Sequence, residues 1–296
     1  MIVERTPRAG FRTRFAPAPT GHLHLGHAVN AVWVWGLAQA FNGRVILRLE
    51  DHDRGRCRAE YERSILDDLD WLGLVPDGAT PATFRAGSHP QRQSDNTERY
   101  AARLAALQAR GLVYACRCSR AEIASPVYPS TCRHAAVPTE STPARRVLMD
   151  GAQPELFDDL RLGAQSQDPM AQCGDLLVRD RAGNWTYQFA VVVDDLEQGI
   201  DLIVRGEDLL DSTGRQFRLA RLLNRETMPH VLHHPLVWHP DGRKLSKSAG
   251  DTGLRELRAA GRSPAEVLGR AAHLGGLADS PRPIPAAALG GLFDRS

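Results

Sequence analysis

The spacing of apolar residues over the first fifty positions predicts a strand, a helix and a second strand. A short apolar run around Arg14 reads as a strand that Pro17 and Pro19 bring to an end. Residues 28–41 are apolar almost all round, which predicts a buried helix that is entered at His27 and stops at the Asn-Gly pair 42–43. Residues 44–50 predict a buried strand. Together these elements make a βαβ unit with a glycine-containing first turn.

The rest of the chain continues the alternation of helical and extended patterns. Helical spacing predicts helices that end near Gly73 and Gly111, a helix over 212–223, and one that begins at the capping box Ser263-Pro-Ala-Glu266. Extended patterns lie at 113–118, 174–179, 201–205 and 231–238. A turn at 182–184 predicts a hairpin whose second arm, 185–193, returns to the core. Residues 75–92 read as a loop, residues 119–172 as an insertion with few periodic runs, and the tail from Pro281 is expected to add little.

Strands that alternate with helices predict an α/β fold with a Rossmann-like parallel sheet, in which ligands bind at the carboxyl ends of the strands. The first turn of the βαβ unit lies at that edge, where a helix N-terminus offers N–H groups and a positive dipole end to a phosphate. His24 and His27 lie beside this helix start and add donors that would follow a phosphate into its transition state. The alternative is a Pro- and Gly-rich loop with satisfied histidines.

Composition and charge narrow the class of protein. The 296 residues carry a formal net charge of +2, so any RNA site has to be a local patch. No apolar run resembles a signal peptide or a membrane span. The five cysteines, an odd number, favour reduced thiols or a metal site over a disulfide framework. We therefore expect a cytoplasmic monomer with no membrane partner.

The distribution of lysine is more informative than the net charge. Of the 37 basic residues only Lys244 and Lys247 are lysines, and both lie in one stretch, Lys-Leu-Ser-Lys-Ser. Arginine and lysine differ in head-group size, hydration and donor geometry, so a chain that otherwise uses arginine keeps lysine where a guanidinium does not serve. We interpret the two lysines as residues that act on charged groups; chance placement in a solvated surface loop is the alternative.

Three stretches together resemble the class I aminoacyl-tRNA synthetases, and in particular their glutamyl branch. His24-Leu-Gly-His27 resembles the "HIGH" motif, and the lysine stretch, about 220 residues later, resembles the "KMSKS" motif with Leu245 in place of Met. The run from Arg14 to Gly21, Arg-Phe-Ala-Pro-Ala-Pro-Thr-Gly, is similar to the glutamyl members. The resemblance implies that the chain binds ATP with Mg²⁺. It assigns catalysis to His24, His27, Lys244 and Lys247, and ATP binding to His24, Gly26, His27 and Lys247.

The resemblance extends over nearly the whole chain and implies its organisation. It implies a class I catalytic domain with a Rossmann-like parallel sheet, a zinc-containing insertion and a short C-terminal helical region. We place the two halves of the catalytic domain at 1–112 and 175–240. The insertion then covers 113–174, and the lysine loop with the C-terminal helical region covers 241–296.

The same resemblance implies which residues hold the amino acid. Two arginines and a tyrosine hydroxyl would pair with the carboxylates of glutamate, and a glutamate side chain with its ammonium. Carried over to this sequence, the substrate-binding residues are Arg14, Ala16, Ala18, Glu50, Tyr187 and Arg205. Ala18 departs from the serine common in the glutamyl branch, which removes one hydroxyl contact. The alternative is that Arg14 and Arg205 are ion-paired with Asp194 or Asp195.

Three closely spaced cysteines predict a metal site. Cys116, Cys118 and Cys132 lie within seventeen residues of a chain expected to be reduced, and thiolates are ligands that zinc prefers. His134 is the fourth ligand that chemistry alone suggests, whereas the resemblance implies Tyr128, which we choose. Free thiols on a loop are the alternative.

The length of the chain beyond the lysine loop bears on the function that the resemblance implies. About 50 residues follow Lys247, so we expect no anticodon-reading helical domain. Short members of the glutamyl branch activate glutamate and transfer it to queuosine at the wobble position of tRNA(Asp), with the anticodon stem-loop as partner. One alternative is a truncated conventional glutamyl- or glutaminyl-tRNA synthetase. The other is a non-catalytic tRNA-binding paralogue.

Overall fold

The computed structural model describes residues 6–119, 121–123, 125–135, 137, 143–151, 153–237 and 253–294. Its strands are β1 (Arg12–Phe15), β2 (Arg44–Leu47), β3 (Val113–Cys116), β4 (Ala144–Val147), β5 (Glu155–Asp159), β6 (Gly163–Gln167), β7 (Leu176–Arg179), β8 (Leu202–Gly206) and β9 (His230–His234). Its α-helices are α1 (Leu25–Ala40), α2 (Ala59–Leu72), α3 (Pro81–Arg85), α4 (Thr97–Ala109), α5 (Pro169–Cys173), α6 (Tyr187–Glu197), α7 (Thr213–Leu222), α8 (Leu254–Ala259) and α9 (Pro264–Leu274). Short 3₁₀ helices cover Gln93–Asn96, Glu207–Ser212 and Ala286–Leu292.

Parallel strands form the centre of the molecule. β1 pairs with β2, β8 with β9, and β9 with β5, all in parallel, while β6 adds an antiparallel edge to β5. The backbone N–H of Asp201 donates to the carbonyl of Arg12 at 3.0 Å, which joins β8 to β1. This arrangement confirms the predicted α/β fold with a parallel sheet. A separate antiparallel sheet consists of β3, β4 and β7. The division of the chain into four parts stays a prediction.

Helix α1 forms the core beside this sheet, as its apolar sequence predicts. Trp33 and its neighbours on every side of the helix are buried. The C-terminal 3₁₀ helix packs directly on α1: a Cβ at Gly36 would lie 2.3 Å from the ring of Phe293, and Leu289 is fully buried. The expectation that the tail from Pro281 adds little is therefore wrong, because the tail covers a face of α1 that would otherwise be exposed.

Short elements account for the other differences from the sequence prediction. The expected loop 75–92 contains α3, and the expected irregular stretch 119–172 contains β4, β5, β6 and α5. Each has four or five residues, too few to show a period. The segment 185–193, expected as a hairpin arm, makes one antiparallel bridge at Trp185 and then enters α6. Its run of valines reads as a strand, but it is a helix buried on most sides.

Two helix boundaries marked by specific residues are where the sequence predicts them. Helix α2 ends at Gly73, whose φ of 70° lies in the left-handed region that favours glycine. Helix α9 begins at the predicted capping box, in which Ser263 and Glu266 each bond the other's backbone N–H. Among the described residues, we find no helix with the length and apolar character needed to span a bilayer.

Candidate active site

A cavity of about 650 Å³ opens at the carboxyl ends of β1 and β8. Its lining includes nine residues that the sequence analysis assigned to substrate or ATP: Arg14, Ala16, Ala18, His24, Gly26, His27, Glu50, Tyr187 and Arg205. The fold thus brings residues from four distant parts of the chain to one place. Lys244 and Lys247 lie outside the described residues.

The two histidines of the first turn cap helix α1. His24 is the N-cap residue, and its Nδ1 accepts a hydrogen bond from the backbone N–H of Gly26 at 3.1 Å. The Nδ1 of His27 accepts from the backbone N–H of His24, also at 3.1 Å. The helix therefore starts at Leu25, two residues before the predicted entry. Because both Nδ1 atoms are acceptors, each neutral ring carries its proton on Nε2, where it can serve as a donor.

Gly26 is required at the start of α1 by the packing of the cap. A Cβ at this position would lie 2.9 Å from Cε1 of His24. A larger residue would displace the ring that bonds the first turn. The glycine between the two histidines therefore preserves the cap, and with it the free end of the helix that faces the cavity.

One side of the cavity carries a network of charges, which we call the charged wall: Arg14, Arg48, Glu50 and Asp195. Asp195 Oδ1 accepts from Arg14 Nε at 3.1 Å and from Arg48 Nη1 at 2.8 Å. Arg48 Nη2 donates to Glu50 at 3.3 Å. Burial alone would raise the pKa of Asp195, but the two guanidinium groups outweigh it and hold that pKa below its usual range. Two cations and two carboxylates thus balance one another.

Arg205 lies at the cavity among uncharged hydrogen-bond partners, and we call Arg205, Thr213, Gln216 and His233 the neutral wall. Arg205 Nη1 donates to Gln216 Oε1 at 2.6 Å, Nη2 to Thr213 Oγ1 at 2.8 Å, and Nε to His233 Nε2 at 3.0 Å. Within the described part of the chain, no carboxylate lies within ion-pair distance of this guanidinium. Burial lowers the pKa of Arg205. The alternative that both arginines are ion-paired therefore holds for Arg14 with Asp195 and not for Arg205.

Tyr187 and His234 also line the cavity. Burial and the nearby Glu50 raise the pKa of the Tyr187 hydroxyl, so it remains a proton donor at neutral pH. The ring of His234 stacks on Trp33 with an interplanar angle of 15°, and its Nε2 lies 3.1 Å from Asn30 Nδ2. Burial lowers the pKa of His234 to about 4, so its ring is neutral.

Sequence reasoning missed the residues that support the two arginines. Arg48 is fully buried, and a charged residue within the apolar strand segment 44–50 is a signal that was available. Asp195 follows Asp194 in a helix, and the sequence suggests it only as an alternative ion-pair partner of the two substrate-binding arginines. Thr213, Gln216 and His233 had no signal, because they reach Arg205 only when α7 and β9 pack together.

The three cysteines of the predicted metal site lie together in the structure. The sulfurs of Cys116, Cys118 and Cys132 lie within 4.8 Å of one another, and all are free thiols. The Tyr128 hydroxyl is 3.4 Å from the sulfur of Cys116 and 3.9 Å from that of Cys118. His134 is exposed and does not belong to this cluster. The arrangement is able to hold a metal ion.

The chain is similar over most of its length to known proteins. The family described as "tRNA synthetases class I (E and Q), catalytic domain" matches residues 10–127 and 137–277. A glutamyl-Q tRNA(Asp) synthetase of Symbiobacterium thermophilum is 42% identical, with 95% of this chain and 91% of that protein covered. A protein of the same name from Ralstonia nicotianae is 41% identical, with 92% of this chain and 87% of that protein covered.

Solved structures support the same relationship. A glutamate tRNA ligase from Elizabethkingia meningosepticum, crystallised with its amino acid, superposes with a TM-score of 0.79 at 26% identity over 95% of this chain. A glutamate-tRNA synthetase from Elizabethkingia anophelis gives the same TM-score at 25% identity. The chain spans 64% and 66% of the lengths of these two larger enzymes.

Proposed function

We propose that this chain, which belongs to the catalytic-domain family of the class I glutamyl- and glutaminyl-tRNA synthetases, activates glutamate with ATP and transfers it to queuosine at the wobble position of tRNA(Asp). The relatives at about 40% identity, which match along nearly their whole length, carry the name glutamyl-Q tRNA(Asp) synthetase. The observation that carries the chemistry is the single cavity in which the His24–His27 helix start faces Arg14, Glu50, Tyr187 and Arg205.

The first step joins glutamate to AMP. The α-carboxylate of glutamate attacks the α-phosphorus of ATP, the bond to the β-phosphate breaks, and pyrophosphate leaves. The Nε2–H donors of His24 and His27, together with the N-terminus of α1, would stabilise the added negative charge on the phosphates. ATP enters as its Mg²⁺ complex, which supplies further positive charge. We assign Lys244 and Lys247 the same task from the other side of the phosphates.

The walls of the cavity would hold the amino acid during this step. Glu50 lies 3.3 Å from Arg48 and offers a carboxylate to the substrate ammonium. Arg205 and the Tyr187 hydroxyl offer donors to the side-chain carboxylate. Positioning the two reactants in one site converts a bimolecular reaction into a local one, which lowers the barrier.

The second step transfers the glutamyl group to RNA. One hydroxyl of the queuosine diol attacks the carbonyl carbon of the adenylate, the bond to AMP breaks, and the phosphate of the departing AMP takes up the hydroxyl proton. Two adjacent hydroxyls on a five-membered ring resemble the ribose diol at a tRNA 3′ end. The anticodon stem-loop would therefore present its wobble base where other synthetases receive the terminal adenosine.

Labelled glutamate and two forms of tRNA(Asp) test the acceptor. We expect queuosine-containing tRNA(Asp) that ends in 2′,3′-dideoxyadenosine to accept glutamate, because this blocked end removes the 3′-terminal diol but leaves that of queuosine. The same tRNA with guanosine at the wobble position should accept none. Charging of tRNA(Glu) at its 3′ end, with no effect of queuosine, would identify a conventional synthetase fragment. Failure to exchange pyrophosphate into ATP with glutamate would identify a non-catalytic paralogue.

We also propose that Cys116, Cys118, Cys132 and Tyr128 hold one structural zinc ion. The donor set fits, since three sulfurs and a phenol oxygen lie close enough to converge on one tetrahedral ion. The metal would tie the end of β3 to the loop around Tyr128. The purified protein should contain about one zinc per chain, and Cys116→Ser should lose it. Tyr128→Phe should weaken zinc binding while His134→Ala should not; the reverse ranking would make His134 the ligand.

A further inference from the structure

His233 of the neutral wall forms a fully buried pair with a carboxylate, that of Asp159. Asp159 at the end of β5 and His233 in β9 are both completely buried, and Asp159 Oδ2 lies 2.6 Å from His233 Nδ1. The same carboxylate accepts four backbone or ring N–H groups. Besides the ring, these are the backbone N–H of Arg161, Leu162 and His233, at 3.0, 2.9 and 3.1 Å. The pair is therefore held rigidly at the junction of β5 and β9.

The surroundings of His233 determine which of its nitrogens carries the proton. A carboxylate only accepts hydrogen bonds, so Nδ1 carries the proton toward Asp159. Nε2 faces the Nε–H of Arg205 at 3.0 Å and must accept from it. The Thr213 hydroxyl, 3.3 Å from Nε2, can donate there as well while it accepts from Arg205. Each hydrogen bond to the ring is thus consistent with the same neutral tautomer, in which Nδ1 carries the proton.

This tautomer sets the orientation of Arg205. A guanidinium has five N–H groups in a fixed plane, and His233, Thr213 and Gln216 take one each. The Tyr187 hydroxyl, which also lines the cavity, is a further hydrogen-bond partner of this guanidinium. The N–H groups that remain on the terminal nitrogens form the fork that, together with Tyr187, pairs with a carboxylate. Arg205 lines the cavity, so this fork is the part of the residue that a substrate can use. A proton on His233 Nε2 would repel the Nε–H and turn the plane.

We propose that Asp159 and His233 are positioning residues that aim the Arg205 fork at the side-chain carboxylate of the amino acid, and thereby set the selectivity for glutamate over glutamine. The proposal rests on the proposed function. The Asp159 carboxylate also places a negative charge behind the His233 ring, where it does not occupy the fork. A substrate carboxylate then completes the site, whereas the amide of glutamine leaves the guanidinium facing a neutral group.

The test compares amino-acid-dependent pyrophosphate exchange in the wild type and in Asp159→Asn. The amide of the variant presents N–H groups to the ring, which favours the other tautomer of His233. We expect KM for glutamate to rise about tenfold or more and the glutamate-to-glutamine ratio of kcat/KM to fall by a similar factor, while KM for ATP stays within about twofold. Asp158→Asn is the matched control, because Asp158 is exposed on the opposite face of β5. It should leave all three quantities unchanged.

Two further variants and one wild-type measurement keep the proposal testable if Asp159→Asn does not fold. His233→Gln retains an acceptor for Arg205 and should recover most of the selectivity that His233→Leu loses, a difference that packing alone does not produce. In the wild type, ¹⁵N chemical shifts of the ring at pH 7.5 should show an unprotonated Nε2. A protonated Nε2, or unchanged selectivity in a folded Asp159→Asn variant, would overturn the proposal. A wild type that exchanges with neither amino acid would refute the proposed function instead.

Discussion

Arg14 and Arg205, the two buried arginines that line the cavity, are equally buried but differ in what surrounds them. Arg14 lies in the charged wall, where Asp195 and Glu50 balance the charges of Arg14 and Arg48. Arg205 lies in the neutral wall, where every described partner is uncharged. A buried cation without a counter-ion is costly to maintain, and an anionic ligand relieves that cost on binding. We infer from the comparison that Arg14 contributes mainly to the stability of the fold and Arg205 mainly to ligand binding.

This difference predicts unequal losses of activity when each arginine is removed. In Arg205→Gln the bound carboxylate would be buried without a charged partner, a loss of about 3–4 kcal/mol. We expect kcat/KM for glutamate in pyrophosphate exchange to fall about 10²- to 10³-fold. In Arg14→Gln, Asp195 still pairs with Arg48, so the loss should be about tenfold. Equal losses in the two variants would show that the two walls act alike.

The comparison reverses for stability. Asp195→Asn removes the carboxylate that Arg14 and Arg48 share, and removing one member of a buried ion network costs about 3 kcal/mol or more. Gln216→Ala removes one uncharged partner of Arg205 and should cost about 1 kcal/mol. Urea unfolding at neutral pH measures both. If Gln216→Ala proves the more damaging variant, the neutral wall is structural and its assignment to the ligand is wrong.

One residue beside each wall has a shifted pKa, and the two shifts should have opposite effects on stability as the pH falls. His234, beside the neutral wall, has its pKa lowered by burial to about 4. Below about pH 6.5 the unfolded chain therefore binds a proton on this histidine that the folded chain does not bind. Because of this group, the free energy of unfolding falls by about 2 kcal/mol between pH 7 and pH 5. Asp194, beside the charged wall, has its pKa raised by burial to about 6, although Arg48 opposes the shift. The folded chain binds a proton on Asp194 at a higher pH than the unfolded chain does. Acidification over the same range therefore raises the free energy of unfolding by about 1 kcal/mol.

Variants separate these two contributions to the pH dependence. His234→Gln should flatten the loss of unfolding free energy between pH 7 and pH 5, whereas Asp194→Asn should steepen it. Because each substitution also removes hydrogen bonds at every pH, the slope of unfolding free energy against pH is the informative quantity. Parallel slopes in all three proteins would mean that neither group is held in the state described here.

The features that the sequence determined by itself are those that depend on local chemistry. The end of α2 at Gly73 and the start of α9 at Ser263 follow from residues that bond to their own backbone neighbours. The cysteine cluster follows from close spacing, and the resemblance across the chain gave the family and the α/β fold. Each of these signals lies within a few residues, or in a motif that can be read without coordinates.

Only the tertiary structure shows which of the predicted site residues already have a charged partner within the protein. The sequence analysis assigns Arg14 and Arg205 the same role. Only the position of α6 beside Arg14 in the folded chain gives Arg14 an ion pair with Asp195. Only the pairing of β5 with β9 brings Asp159 to His233, 74 residues apart, and thus behind Arg205. The packing of the C-terminal tail on α1 was likewise not predicted from the sequence. The physical reason is the same in each case: burial and partners come from contacts between segments far apart in the chain, which local patterns do not encode.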